Sequence, residues 1–277
     1  MPLIDPVTMS APAGKAGPAA GDDKPSEESV CRAMPTHASP LAQAVRHVHP
    51  AVLVASFYAG FGALVRDPVA AMAVSLPAVV VLQVAYAVLC LPAAGSPAKG
   101  SKKPRPGEKR KPGADAAAPS LLSVSRPASP FPTRRGLELT DPGWQTVFVA
   151  LGLSVFATLG LHTFFVLFGA PLLTHIPQTL LCTLHLSMLG LFPLFYTHGL
   201  ATGDWVEILG ARAPFDEAFG GLVGGCVGAW VGAVPIPLDW DREWQKWPIT
   251  ILCGVYGGYV LGKVVGGTVA FGKRFGA

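Results

Sequence analysis

Residues 219–267 read FGGLVGGCVGAWVGAVPIPLDWDREWQKWPITILCGVYGGYVLGKVVGG and consist of two glycine-rich apolar segments joined by a polar and aromatic loop. In each segment a glycine recurs at every fourth position. Residues four apart share one face of an α-helix, so the sequence predicts two helices that each carry a groove without side chains. The helices could pack on each other through these grooves, or a groove could receive a helix of a partner protein. The helix-packing candidates are Gly220, Gly224, Gly228, Gly232, Gly254, Gly258, Gly262 and Gly266.

The composition of the whole chain indicates a membrane protein. Of its 277 residues, 51% are hydrophobic and only 14% are charged, whereas an average soluble domain has about 25% charged residues. Six segments are apolar over most or all of the roughly 20 residues with which a helix crosses a bilayer. They are Ala51–Val65, Ala70–Leu91, Thr146–Phe168, Ile176–Tyr196, Phe219–Val234 and Ile249–Phe271. We therefore predict an all-α, polytopic membrane protein with about six transmembrane helices, arranged as a two-helix hairpin plus a four-helix unit.

Four regions follow from the distribution of apolar, charged and proline residues. Residues 1–50 are predicted to be a disordered cytosolic tail, because they are rich in Ala, Pro and Ser and lack the basic start and apolar core of a signal peptide. Residues 51–92 form the transmembrane hairpin, and residues 145–277 form the four-helix membrane region. Between them, residues 93–144 are predicted to be a basic, Pro-rich cytosolic linker that cannot build a hydrophobic core.

The positions of lysine and arginine predict the orientation in the membrane. Between Leu91 and Gly143, ten basic residues stand against four acidic ones. If the N-terminus is cytosolic, the tail, this linker, the Thr197–Ala218 loop and the C-terminus hold seventeen of the 21 lysines and arginines. Positive charge near a span resists translocation. Both termini are therefore predicted to be cytosolic, and the Pro235–Thr250 loop is predicted to face the lumen.

The loop between the glycine-rich segments has an unusual density of aromatic and charged side chains. Asp239 is a good N-cap and Pro248 favours a boundary at Trp247, which predicts a short helix of about two turns with its three tryptophans on one stripe. Tryptophan favours the headgroup level of a bilayer, so the loop could be a membrane anchor. It could also contact a partner protein. The candidate interface residues are Asp239, Trp240, Asp241, Arg242, Trp244, Gln245, Trp247 and Pro248.

The spacing of the residues disfavours catalysis and metal binding. The three alternating carboxylates of the loop resemble the first ligands of an EF-hand, but Trp244 and Thr250 stand where that motif needs Gly and Glu. The same carboxylates have Arg242 and Lys246 as close countercharges and no nucleophile nearby. The five cysteines are isolated and show neither a disulfide nor a metal pattern. We therefore predict no catalytic, metal or cofactor site.

Three ionisable residues inside the predicted spans are candidates for a polar network or a lipid contact. His162 and His185 lie in neighbouring spans and could approach each other, either to pack by hydrogen bonds or to serve lipid or proton chemistry. Lys263 lies near the cytosolic end of its helix. Its side chain could extend to a lipid phosphate or pair with an acidic residue of a partner.

Two stretches of the sequence resemble a known family. The run GAWVGAVPIPLDWDREWQKWPIT, Gly228–Thr250, and the following GVYGGYVLG, Gly254–Gly262, resemble the signature of the PIG-F family of glycosylphosphatidylinositol (GPI) anchor biosynthesis. An earlier run, LFGAPLLTHIPQTLLCTLHLS, Leu167–Ser187, is similar to a second segment of that family. The resemblance extends over Thr146–Phe271. The chain departs from the family pattern at Glu243, where a proline is usual.

The resemblance implies a non-catalytic accessory subunit in the endoplasmic reticulum membrane. Such subunits associate with and stabilise the large ethanolamine-phosphate transferases PIG-O and PIG-G, which modify GPI mannoses on the luminal side. The predicted luminal loops are too short to hold a transferase domain of their own. The alternative is a small polytopic lipid transporter or lipid-modifying enzyme that uses His162 and His185.

Overall fold

The computed structural model describes residues 31–96, 142–238 and 240–275, and within these ranges the chain is all helical. Six helices are long and apolar enough to cross a membrane, as predicted. They are α1 (Pro40–Arg66), α2 (Pro68–Cys90), α3 (Pro142–Leu167), α4 (Ile176–His198), α6 (Glu217–Ala233) and α7 (Ile249–Gly267). A short helix, α5 (Thr202–Leu209), lies between α4 and α6.

Helix α1 begins at Pro40 and not at the predicted Ala51. The Ser39 hydroxyl accepts a hydrogen bond from the Ala42 N–H at 3.2 Å, and Pro40 occupies the first turn, where its missing N–H costs nothing. The first turns escape a hydropathy search because they contain polar residues such as His49, which the fold buries. The predicted disordered tail is therefore too long at its C-terminal end, and its residues 1–30 lie outside the described residues.

Helices α1 and α2 are joined through one residue, Asp67. Its carboxylate accepts hydrogen bonds from the N–H groups of Val69 and Ala70, both at 3.1 Å, which caps α2. Of the predicted linker that follows α2, residues 97–141 lie outside the described residues.

The hairpin of α1 and α2 does not form a unit apart from the other four spans. One hydrophobic cluster takes buried residues from all six: Leu53, Met72, Phe165, Leu186, Ala229 and Leu252. Buried hydrogen bonds also connect the hairpin to the rest, such as the one from Gln83 to Tyr259 at 3.1 Å. The described spans therefore pack as one bundle.

Helix α4 is the most buried of the six spans. It contains a π-helical turn at Ser187–Leu191, a feature that inserts one extra residue into a helix. The Ser187 hydroxyl donates to the Ser154 carbonyl of α3 at 2.6 Å, and Leu222 of α6 packs directly over Gly190. Helix α4 thereby holds α3 on one side and the glycine-rich pair α6 and α7 on the other.

Candidate functional site

The two glycine faces meet each other along α6 and α7, and we call this contact the glycine seam. A Cβ added at Gly224 would collide with the Gly258 carbonyl, and one added at Gly258 would collide with the Gly224 carbonyl. A Cβ added at any of the other six predicted glycines would also collide with backbone atoms. These atoms belong to the opposite helix or, at Gly266, to Asp216. The grooves are thus filled within the chain and do not offer an open surface to a partner's helix. By contrast, Gly257 has open space around its Cα.

The loop that joins α6 to α7, residues 235–248, does not form the predicted two-turn helix, and we call it the tryptophan loop. It contains two single turns of 3₁₀-helix, Ile236–Leu238 and Glu243–Gln245. Arg242 has an extended backbone that prevents a helix from running through it. The predicted N-cap, Asp239, lies outside the described residues.

Two side chains hold the tryptophan loop against the bundle. The Gln245 side-chain amide donates to the Pro235 carbonyl at 2.9 Å, which closes the loop on itself. The Trp247 indole N–H donates to the Thr179 hydroxyl of α4 at 2.9 Å, and its ring packs against the main core. The predicted single stripe of three tryptophans is therefore divided, because Trp247 faces the bundle.

The remaining aromatic and basic side chains of the loop face outward. Trp240 is 52% exposed and its ring lies edge-on to that of Trp244, with centroids 5.7 Å apart. Arg242 and Asp241 are exposed as well. Glu243 and Lys246 form an ion pair at the surface, where such pairs add little stability. The loop thus has an inner part fixed to the bundle and an outer part, formed by Trp240, Arg242 and Trp244, that is free to contact lipid or protein.

The structure gives His185 partners other than His162. The His185 ring is fully buried, and its nitrogens lie 2.8 Å from the Tyr256 hydroxyl and 3.1 Å from the Met72 carbonyl. It therefore ties α4 to α2 and α7. No hydrogen bond joins it to His162 among the described residues, and the pair required for the alternative function is not formed.

Lys263 does not extend to the membrane surface, contrary to one of the two interpretations of its position. It is 2% exposed, with its ammonium 3.3 Å from the centre of the Tyr86 ring and 3.8 Å from a Glu217 carboxylate oxygen. The same ammonium lies 3.1 Å from His49 Nδ1. The lysine therefore has a counter-ion inside the chain, on α6.

Glu217 is the centre of this buried charge cluster. Its Oε1 binds the Arg46 guanidinium of α1, and its Oε2, the oxygen nearest to Lys263, accepts a hydrogen bond from the Tyr86 hydroxyl at 2.5 Å. The cluster joins α1, α2, α6 and α7, and we define it as Arg46, His49, Tyr86, Glu217 and Lys263. The sequence pattern does not predict this cluster, because Arg46 and His49 stand in the predicted tail. One feature of the sequence could have indicated it. Glu217 and Lys263 are the single charged residues of two antiparallel glycine-patterned helices, and they lie toward the same end of the pair.

A second polar cluster brings together Cys31, His198 and Asp204, which the sequence pattern does not group. Their potential ligand atoms all lie within 4.8 Å of one another. His198 is already hydrogen-bonded to Asp204 at 2.9 Å. Burial, together with the nearby carboxylates of Asp204, Glu207 and Asp216, raises the pKa of the Cys31 thiol to about 12. Because the thiolate is the form that binds metals, this cluster is better suited to packing than to metal binding.

A comparison with known proteins shows the family of this chain. The model of the GPI biosynthesis protein family Pig-F matches residues 48–267, which run from the middle of α1 to the end of α7. The chain belongs to the PIG-F family. The match includes α1 and α2, so the family relationship extends beyond the segment, Thr146–Phe271, in which the sequence resemblance is apparent.

Relatives of this PIG-F-family chain carry consistent names. A Neurospora crassa protein called glycosylphosphatidylinositol anchor biosynthesis protein 11 is 46% identical over 99% of this chain and 100% of its own length. A Pyricularia oryzae protein of the same name is 42% identical over 97% of this chain and 96% of its own. A Mus musculus relative, 37% identical over 38% of this chain and 50% of its own length, is named GPI ethanolamine phosphate transferase, stabilizing subunit. No solved structure matches the chain.

Proposed function

We propose that this PIG-F-family protein is a non-catalytic accessory subunit of GPI-anchor biosynthesis that binds and stabilises ethanolamine-phosphate transferases. The observation that carries the proposal is the family match over residues 48–267, together with the mouse relative named as a transferase-stabilizing subunit. The pathway implies the endoplasmic reticulum membrane. We further propose PIG-O-like and PIG-G-like transferases as partners, and an orientation with both termini in the cytosol.

The lengths of the connections support a role other than catalysis. At the end of the bundle where α1 meets α2, the connections are Asp67, residues 168–175 and the segment 234–248, of which all but Asp239 is described. Transfer of ethanolamine phosphate needs a nucleophile held beside metal ligands on that side of the membrane. Connections of this size are too short to build such a centre, so the catalytic domain is expected to come from a larger partner.

The outer part of the tryptophan loop is the proposed contact for that partner. Tryptophan and arginine are the side chains that most often dominate binding energy at protein interfaces. Here they are displayed on a loop whose inner part is fixed by Gln245 and Trp247. A fixed loop presents its contact residues without an ordering cost at the moment of binding.

Purification of the full chain with its natural partners tests the proposal. The tagged protein, extracted from its own membranes in mild detergent, is expected to retain a much larger membrane protein that mass spectrometry identifies as an ethanolamine-phosphate transferase. An Arg242→Ala variant is expected to lose that protein while remaining in the membrane. A wild-type chain that purifies alone and moves or modifies lipid in vesicles without a partner would contradict the proposal.

A further inference from the structure

Two neighbouring cavities follow α1 and α7 at the end of the bundle where α1 begins and α7 ends. The first has a volume of about 200 Å³ and is polar in part, with Thr36, Arg46, Glu217 and Gly267 in its wall. The second is an apolar groove of about 580 Å³, lined by His47, Pro50, Ala51, Tyr58, Val260 and Val264. The cavities follow each other along the same helix faces, because Arg46 and Pro50 are four residues apart on α1 and Val264 and Gly267 are three apart on α7.

We propose that the two cavities form one binding site for an anionic phospholipid, with the phosphate at Arg46 and an acyl chain in the apolar groove between α1 and α7. From Arg46 to Tyr58 the site follows α1 for twelve residues, or about 18 Å at 1.5 Å per residue. This length matches one leaflet of a hydrocarbon core that is about 30 Å thick. A transmembrane helix of a partner would need a groove of the full thickness, so a lipid is the better occupant.

The charges at the polar end favour an anion. Arg46 and Lys263 share one carboxylate, that of Glu217, so the three groups in their ordinary ionic forms carry a net charge of +1. Arg46 uses Nε for Glu217 and Nη2 for the Gly267 carbonyl at 2.7 Å. Its Nη1 group has no partner among the described residues and remains available to a phosphate oxygen.

A buried nitrogen in the same cluster also lacks an acceptor. Lys263 can only donate hydrogen bonds, so His49 Nδ1 accepts from it and His49 Nε2 carries the ring hydrogen. His49 is 4% exposed, and its Nε2 has no partner in the part of the chain that the structure describes. A buried N–H group without an acceptor lowers the stability of the fold, and beside two cations it adds to the positive potential of the cluster.

The carboxylate next to Glu217 in the chain, that of Asp216, lines neither cavity. Asp216 accepts hydrogen bonds from the backbone N–H of Phe219 at 2.8 Å and of Met34 at 3.0 Å. Its oxygens are therefore engaged at the start of α6. Thr36, also in the wall of the polar cavity, offers a hydroxyl donor.

Native mass spectrometry of the full chain, purified with its natural partners in detergent, tests the polar end of the site. The probes are phosphatidylglycerol, which carries a net negative charge, and phosphatidylcholine, which carries none. Arg46→Gln removes one charge but leaves Lys263 to pair with Glu217, so the fold is expected to survive. This variant should bind phosphatidylglycerol about tenfold more weakly, which is the effect of losing one charge-assisted hydrogen bond.

Arg66→Gln is the matched control, because Arg66 lies at the other end of α1, is largely exposed and donates only to the Gly62 carbonyl of its own helix. It should leave phosphatidylglycerol binding unchanged. Thr36→Val, which removes no internal contact, should weaken binding in the same direction as Arg46→Gln. Equal retention of the two lipids by the wild type, or equal effects of the two arginine substitutions, would overturn the proposal.

A second pair of variants tests the apolar groove and separates a lipid from free phosphate. Ala51→Phe fills the groove, whereas Ala73→Phe places the same ring on an exposed position of α2 that does not line it. Only Ala51→Phe should reduce phosphatidylglycerol binding. If inorganic phosphate binds equally well and Ala51→Phe has no effect on the lipid, the site is an anion site without an acyl groove and the proposal is wrong.

Discussion

At the scale of single residues, the tryptophans of the tryptophan loop differ in their surroundings and therefore in their expected roles. Trp247 has its indole N–H on Thr179 and its ring in the core, whereas Trp240 and Trp244 contact each other on the outside. Substitutions at Trp247 should therefore change the stability of this subunit. Substitutions at Trp244 should change what the subunit binds.

The outward residues give the first prediction. Arg242→Ala and Trp244→Ala should each lower the amount of bound transferase, at a cost of about 2 kcal/mol in binding free energy, and leave this protein inserted in the membrane. The measurement is the abundance of both proteins together with the composition of GPI precursors. Trp244→Phe is the control, since a membrane anchor would tolerate it and a protein contact would not. Normal precursors in both alanine variants would leave the loop as a membrane anchor.

Trp247→Phe gives a second prediction, which concerns the stability of this protein and not its binding to the transferase. It removes the hydrogen bond to Thr179 and keeps most of the ring in the core, so the free energy of unfolding should fall by about 1 kcal/mol. Thermal unfolding of the purified protein in detergent measures this change. A melting temperature equal to that of the wild type would show that the bond is not maintained in solution.

Lys263 gives a third prediction. Lys263→Met removes the ammonium from the Tyr86 face and from Glu217, and loss of one partner of a buried ion pair is expected to cost about 3 kcal/mol. Lys273→Met is a matched control, because that lysine lies near the same end of α7 and is exposed. The same thermal unfolding assay distinguishes them. Equal melting temperatures for the two variants would contradict the importance of the buried charge cluster.

The sequence shows which ionisable residues lie inside the spans, but it does not predict what they contact. Lys263 and His185 are visible as ionisable groups in apolar segments, but their contacts come from other helices. Lys263 meets His49, which follows a polar stretch that reads as part of a tail. The pairing depends on how α1 is placed against α7, and no local pattern contains that information.

At the scale of elements, the glycine seam has a clear physical cause. In lipid there is no hydrophobic force between helices, and close backbone contact through small residues provides much of the attraction. The four-residue spacing predicts both glycine faces correctly. That the faces meet each other, and not a partner, requires the short loop that returns α7 alongside α6.

The seam gives a fourth prediction with a control in the same helix. Gly258→Ala puts a methyl group against the Gly224 carbonyl and should lower the free energy of unfolding by about 1–3 kcal/mol. Gly257→Ala places the same methyl group in open space, where alanine should be neutral or stabilise the helix by about 0.5–1 kcal/mol. Unfolding in detergent reports both. Equal effects would show that α6 and α7 do not pack through this face.

Local patterns fail for two elements for identifiable reasons. The tryptophan loop has the capping and boundary residues of a short helix. Instead, the Gln245 amide donates to the Pro235 carbonyl, and the backbone at Arg242 is extended between two 3₁₀ turns. The start of α1 is missed because its polar residues Arg46 and His49 face partners on α6 and α7. In both cases a tertiary contact overrides a sequence preference.

At the scale of the whole molecule, one bundle carries two exposed features at opposite ends: the outer part of the tryptophan loop and the α1–α7 cavities. Helix α4 and the shared core connect the two ends. This arrangement suits a subunit that holds a larger membrane enzyme on one side of the bilayer. We propose that the lysines and arginines of the predicted cytosolic segments set its orientation.

The orientation gives a fifth prediction. An N-glycosylation acceptor placed within residues 97–141 should remain unmodified, since the ten basic residues between Leu91 and Gly143 keep this segment cytosolic. An acceptor in the tryptophan loop, extended by a flexible spacer to reach the glycosylation enzyme, is the positive control. Efficient glycan addition in the 97–141 segment would reverse the whole topology and place the loop away from the luminal transferase domain.

The most direct test of the accessory role is the lifetime of the transferase in membranes from which this protein has been removed. A pulse-chase measurement should show rapid loss of an ethanolamine-phosphate transferase, with accumulation of GPI precursors that lack ethanolamine phosphate. Re-expression of the wild-type chain should restore both, and the Trp244→Ala chain should not. A transferase that stays abundant and active without this protein would contradict the account.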